Sequence, residues 1–204
     1  MSSINLPSQW AGMISLMIGC STLAAQPRNA AESALAAIRH VRAAEIAGAI
    51  AQAPVQRKIT EIILHHSSSP SRASYKGGDT VLGIANMQLS QQSNSVPWHY
   101  SIAPDGTVWL GAPLETAATH TAGHNANSVS VLLILNGDIE LPTKAQKSAL
   151  VIVLNTLCTR FNIPITSDGE APPRLAFHSD YNPARTCPGK LITRELLLTW
   201  LQKP

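Results

Sequence analysis

A chain of 204 residues is long enough for one well-buried domain of about 150 residues plus an appendage. Hydrophobic residues make up 45% and charged residues 13%, which excludes disorder over most of the length. The formal net charge of +3 suits an anionic polymer such as cell wall and is too weak for a nucleic-acid binder, so no nucleic acid is expected as a partner.

Residues 1–27 carry no charged side chain, and Trp10 to Ala25 is a mostly apolar run ending in small residues. Three readings compete for it. A secretory signal would want a basic start that is missing here, and a membrane span would want roughly 20 apolar residues. Met17-Ile-Gly-Cys20 weakly resembles a lipoprotein cleavage site. Residues 1–25 are thus a candidate signal or anchor, and membrane association is expected only through them. From Asn29 an alanine-rich helix is expected, capped by Asn29 with Glu32 in capping-box position, striped by Leu35, Ile38, Ile46 and Ile50, and ended by Pro54. Residues 1–58 therefore read as an extension or linker, and residues 59–204 as the functional domain.

Ile59 to His65 reads as a buried strand followed by a polar loop at Ser67–Ser74, and Asp79 to Gln92 as a helix that Asp79 can cap. Trp98 to Ile102 and Thr107 to Leu110 flank Pro104-Asp-Gly106, which predicts a hairpin. Thr119 to Ser128 is polar, rich in glycine and histidine, and loop-like. Val129 to Leu135 predicts a strand buried on both faces, and Thr143 to Phe161 a helix capped by Thr143. Leu175 to Phe177 is a short strand that delivers His178, and Leu191 to Trp200 a closing helix. Strands alternating with helices give the α/β class, with a mixed central sheet flanked by helices.

The candidate chemistry lies in His178 to Gly189 read with Ile62-Ile-Leu-His65-His66. His178 and Cys187 are imidazole and thiolate donors, the set that suits tetrahedral zinc. His65, at the end of an apolar strand, is the candidate third ligand, with a rigid backbone behind it at the sheet rim. Three protein ligands and an open fourth position are the pattern of a catalytic Zn2+ site, where the ion lowers the pKa of a bound water to about 7. Taken singly, a histidine is more often a surface or satisfied core residue and a cysteine a small buried hydrophobe. The three cysteines, Cys20, Cys158 and Cys187, are an odd count with wide spacing, so no disulfide framework is read from them, and Cys158 is expected in the core.

An ordered set of residues resembles the zinc-dependent N-acetylmuramoyl-L-alanine amidases, a family that includes bacteriophage endolysins, bacterial muropeptide amidases and peptidoglycan recognition proteins. The set is Ile-Leu-His65-His66-Ser, Trp98-His-Tyr with its hairpin, His120 with Asn127-Ser128-Val, Gln146, His178-Ser-Asp and Cys187-Pro-Gly, and it covers residues 59–204. The resemblance implies the same three zinc ligands, a groove containing Trp98, His120 and Asn127 as substrate-binding residues, and hydrolysis of the amide joining N-acetylmuramic acid to L-alanine in peptidoglycan or muropeptides. Arg185 lies where many members carry lysine, and its guanidinium suits it to hold an oxyanion.

Two departures accompany the resemblance. Trp98 replaces a catalytic tyrosine of some members and Leu132 a glutamate of others, and neither indole nor leucine accepts a proton. His120 is then the candidate proton carrier, with His66 and His99 as orienting or packing residues. A rival expectation is a non-catalytic wall-binding module that has kept the groove and metal, and a third is the same zinc chemistry on another acyl-amino bond. Two locations follow: a phage-lysin-like protein held in the host cytoplasm until it reaches the wall, or an envelope enzyme exported through residues 1–25.

Overall fold

The computed structural model describes residues 30–91, 95–166 and 171–202. The expectations for residues 1–25 and for Asn29 as a cap lie outside these. In chain order the elements are α1 (Ala30–Ala36), β1 (Arg39–Val41), α2 (Ala43–Gln52), β2 (Glu61–His66), α3 (Gly78–Ser90), β3 (Tyr100–Ile102), β4 (Val108–Leu110), β5 (Ser128–Leu133), α4 (Lys144–Phe161), β6 (Arg174–Phe177) and α5 (Arg194–Gln202).

The strands form one mixed sheet in the order β1-β4-β3-β5-β2-β6. β5, β2 and β6 run parallel, as does β3 with β5, whereas the β3–β4 hairpin and the β1–β4 pair are antiparallel. Because side chains alternate along a strand, each strand serves two faces. Ile62 and Leu64 of β2, Val129, Val131 and Leu133 of β5, and Leu175 and Phe177 of β6 pack with α2, α4 and α5 in the main core. The opposite face packs Leu132 against α3 and Trp98. His65 belongs to that second face, two residues along from Ile63.

Local chemistry explains the principal helix. Thr143 Oγ1 accepts from the Gln146 amide at 3.0 Å and caps α4 as expected. Buried Gln146 then donates from Nε2 to the carbonyls of Ile102 and Ile134, joining the ends of β3 and β5 to the helix. Cys158 is buried in the core as expected, and burial pushes its thiol up to about 12.

Two local expectations are corrected. The single helix from Asn29 to Pro54 is two helices separated by the edge strand β1. Ile38 and Val41 are β-branched and stiff in a helix, and Arg39–Val41 gains a full ladder with β4 instead. The Arg42 amide then bonds the Glu45 carboxylate and the helix restarts as α2. Asp79 does not cap α3: the N-cap is Gly77 at φ 63°, and Asp79 adds its charge to the first turn. Residues 39–52 therefore share the sheet and main core with the rest of the chain, and Arg160 of α4 donates to the carbonyls of Ile50 and Ala53 at the end of α2. Among the described residues no helix is long and apolar enough to cross a membrane.

Ile50 is fully buried in this shared core. Ile50→Ala is expected to destabilise the whole fold by about 2–5 kcal/mol in a single urea transition, because the cavity adds to the lost transfer energy. A separate early transition, with the main one unmoved, is the contrary result.

Candidate metal centre

β2 and β6 are paired in parallel with Leu64 opposite Phe177, so the next residues, His65 and His178, emerge side by side at the C-terminal rim. Their ring centroids are 4.7 Å apart. Cys187 reaches the same place from the loop beyond β6: its Sγ lies 3.7 Å from His65 Nδ1 and accepts from the His66 backbone amide at 3.4 Å. The ligand atoms of His65, His178 and Cys187 all lie within 4.8 Å of one another. Zinc–nitrogen and zinc–sulfur bond lengths give a tetrahedral N···S edge of about 3.6 Å, which the 3.7 Å between Cys187 Sγ and His65 Nδ1 matches.

The electrostatics agree with the donor set. Burial pushes His65 well below its ordinary pKa, which keeps the ring neutral and its lone pair available. Burial pushes the Cys187 thiol up to about 11, so a thiolate here needs a cation beside it, which a divalent metal supplies.

Close backbone contact holds the Cys187 loop. A Cβ on Gly137 would lie 2.1 Å from the Pro188 carbonyl oxygen, and one on Gly189, at φ 117°, would lie 2.1 Å from the Gly137 carbonyl carbon. Asp138 accepts from the Lys190 amide and the Thr186 hydroxyl, both at 2.9 Å, on either side of Cys187-Pro188. His66 accepts at Nδ1 from the Gly137 amide at 3.0 Å, and so ties the end of β2 to the same corner.

Two other histidines beside the site are equally well partnered. His99 accepts at Nδ1 from the Ser130 amide and has Nε2 3.0 Å from the Thr116 carbonyl oxygen; burial holds it at about 4, so the ring is neutral. His120 places Nδ1 3.1 Å from His65 Nε2 and Nε2 3.1 Å from Ser128 Oγ, and burial, reinforced by neighbouring rings and cations, lowers it to about 3. Asn125 Oδ1 accepts from the amides of His120 and Thr121 and fixes the loop backbone.

A cavity of about 710 Å³ joins these groups, lined by the three candidate ligands together with Trp98, His120, Leu132 and Arg185. Trp98 is 1% exposed and its indole Nε1 has no hydrogen-bond partner. Arg185 is exposed and part of the cavity lining. Asn127 is not among the lining residues; its carbonyl accepts from the Thr60 amide.

Two features had no counterpart in the sequence reading. Arg57 donates to the carbonyls of Leu114, Asn125, Ala126 and Ser128, gathering the loop that carries His120. Glu61, 2% exposed, accepts from Tyr181 and from His124 Nδ1, joining that loop to the one after His178. A lone arginine before a strand and a lone glutamate opening one carry no motif.

A family model described as N-acetylmuramoyl-L-alanine amidase matches residues 55–190. Peptidoglycan-recognition protein LB of Drosophila melanogaster is 28% identical over 92 residues, 43% of this chain and 39% of that protein, so the alignment spans less than half of the relative's length. An endolysin N-acetylmuramoyl-L-alanine amidase from Clostridium intestinale has a TM-score of 0.59 at 21% identity, covering 72% of this chain and 85% of that one. Peptidoglycan recognition protein-LE, solved with tracheal cytotoxin, a monomeric diaminopimelic acid-type peptidoglycan, has a TM-score of 0.54 at 26% identity, covering 70% and 81%.

The Gly137 contact makes a separable prediction. Gly137→Ala must displace the segment carrying Cys187, and its zinc affinity, measured by competition with a chromophoric chelator, is expected to fall by about 10-fold or more. Unchanged affinity in a folded variant contradicts the role given to this contact.

Proposed function

This chain belongs to the N-acetylmuramoyl-L-alanine amidase family, and from that premise we propose that it hydrolyses the amide between N-acetylmuramic acid and the L-alanine of the stem peptide, in peptidoglycan or a muropeptide, with zinc held by His65, His178 and Cys187. The observation that carries this reading is the convergence of those three donors in a cavity of about 710 Å³. Three protein donors leave one tetrahedral position open, which is the catalytic rather than the structural arrangement. Zinc bound there supplies Lewis acidity toward the amide carbonyl and lowers the pKa of water.

The chain's own residues do the rest. The Arg185 guanidinium, in the cavity lining, donates to the carbonyl oxygen as negative charge develops on it. The Trp98 ring, in the cavity wall, is assigned to packing beneath the substrate, because its indole N–H is buried. The muropeptide held by peptidoglycan recognition protein-LE supports a ligand of this class.

One observation favours a second reading. Trp98 and Leu132, both in the cavity wall, offer no proton acceptor, which suits a recognition module that binds without cleaving. Digestion of purified sacculi and soluble muropeptides, with and without a zinc chelator, separates the two when products are read by mass spectrometry. Hydrolysis predicts stem peptides with a free L-alanine amine, lost with the chelator. Binding without release of peptide, from folded and zinc-loaded protein, selects the recognition module. In the enzyme, Arg185→Ala is expected to lower kcat by about 10²-fold, and Arg185→Lys to retain most of it. An unchanged kcat for Arg185→Ala removes Arg185 from the mechanism.

A further inference from the structure

We propose that Ser128 and His120 form a hydrogen-bond relay that fixes the tautomer of His65, keeping its proton on Nε2 and its Nδ1 lone pair toward Cys187 and the metal. His120 is on this account a positioning residue. The consequence for the metal rests on the zinc reading above, whereas the tautomer itself does not.

The relay starts on the sheet. Ser128 opens β5 opposite Glu61 of β2, and its backbone is held by the strand ladder. The Ser128 hydroxyl donates its single proton to the His124 carbonyl oxygen at 2.7 Å. Toward His120 Nε2, at 3.1 Å, Ser128 Oγ can therefore only accept, so Nε2 carries the His120 proton. A neutral imidazole has one N–H, which leaves His120 Nδ1 as a bare lone pair. His65 Nε2 lies 3.1 Å from that lone pair and must donate to it, since two lone pairs at this distance repel. The Thr121 hydroxyl, 3.0 Å from the same nitrogen, is a second donor to it and reinforces its acceptor role.

The last step is on His65. With its proton on Nε2, its Nδ1 is unprotonated and stands 3.7 Å from Cys187 Sγ. The opposite tautomer would aim an N–H into the metal position. Partners behind a ligating histidine commonly set its tautomer and raise its basicity, and losing one costs about 10–100-fold in metal affinity. Here the partner is a histidine, and the serine behind it decides which way round that histidine works.

Long-range ¹H–¹⁵N spectra of the imidazole nitrogens in the metal-free chain test this, with His65 assigned through His65→Ala, alongside zinc affinities by chelator competition. The wild type is expected to show His65 with a protonated Nε2 and an unprotonated Nδ1. His120→Leu is expected to populate both tautomers and to weaken zinc by about 10–100-fold. His120→Asn, whose amide oxygen offers an acceptor in place of Nδ1, is expected to restore both readings in large part. Ser128→Ala, which removes the acceptor for His120 together with the bond to the His124 carbonyl and leaves the His120 ring in place, is expected to shift His65 toward the mixed pattern and serves if His120→Leu does not fold. A protonated Nδ1 on His65 in the wild type overturns the proposal. So does an unchanged tautomer in folded His120→Leu or Ser128→Ala. The expected tautomer pattern in a wild type that binds no zinc upholds the relay and removes the zinc reading instead.

Discussion

The register of β2 against β6 is the constraint on which the rest depends. With Leu64 opposite Phe177, two strands that are far apart in sequence bring His65 and His178 to the same point on the rim. A slip of one residue would turn His65 into the main core and bring a leucine or the second histidine into its place. The slip is opposed from both sides, because β2 lies between β5 and β6 and buries Ile62 and Leu64 under α4. A site at the carboxyl ends of parallel strands is also where open α/β sheets generally bind ligands.

The third donor depends on a different kind of fit. Cys187 is brought in by a loop that touches Gly137 so closely that neither Gly137 nor Gly189 has room for a side chain. Asp138 then grips the loop on both sides of the cysteine. Around this point the histidine loops are held by matched polar groups: Arg57 takes up four carbonyls, Glu61 takes Tyr181 and His124, and His99 is held between an amide and a carbonyl. A buried polar group left unpaired costs about 1–3 kcal/mol, so this matching is what allows a cluster of histidines to stay neutral behind a metal position.

Much of this was legible in the residues. The α/β class followed from apolar runs alternating with capped helical segments, and Thr143, the hairpin at Pro104–Gly106 and the double-sided burial of β5 agree with the local chemistry that predicted them. The ligand candidates were legible only as a set, because His65, His178 and Cys187 each have commoner uses taken singly and together make a zinc donor set. β1 was not, since three residues in an alanine-rich stretch look helical until β4, about 70 residues on, offers a free edge to them. Arg57 and Glu61 were not legible for a related reason: the carbonyls that Arg57 takes up, and the Tyr181 and His124 side chains that Glu61 joins, come from distant segments and leave no mark beside them in the sequence. Asn127 lies in the His120 loop but outside the cavity lining, and it is Asn125 whose side chain fixes that loop's backbone, a division of work that two nearby asparagines do not disclose in sequence.

The functional account joins a donor set that suits an open zinc site to a cavity wall whose Trp98 and Leu132 neither give nor take a proton in the familiar way. The metal centre is therefore the claim on which the rest stands. An X-ray absorption spectrum of the zinc-loaded chain tests it most directly. The account predicts one equivalent of zinc bound to two imidazole nitrogens at about 2.0 Å, one sulfur at about 2.3 Å and one light exchangeable ligand, with the sulfur shell lost in Cys187→Ala. A spectrum without sulfur, or a shell of four protein ligands, would contradict it.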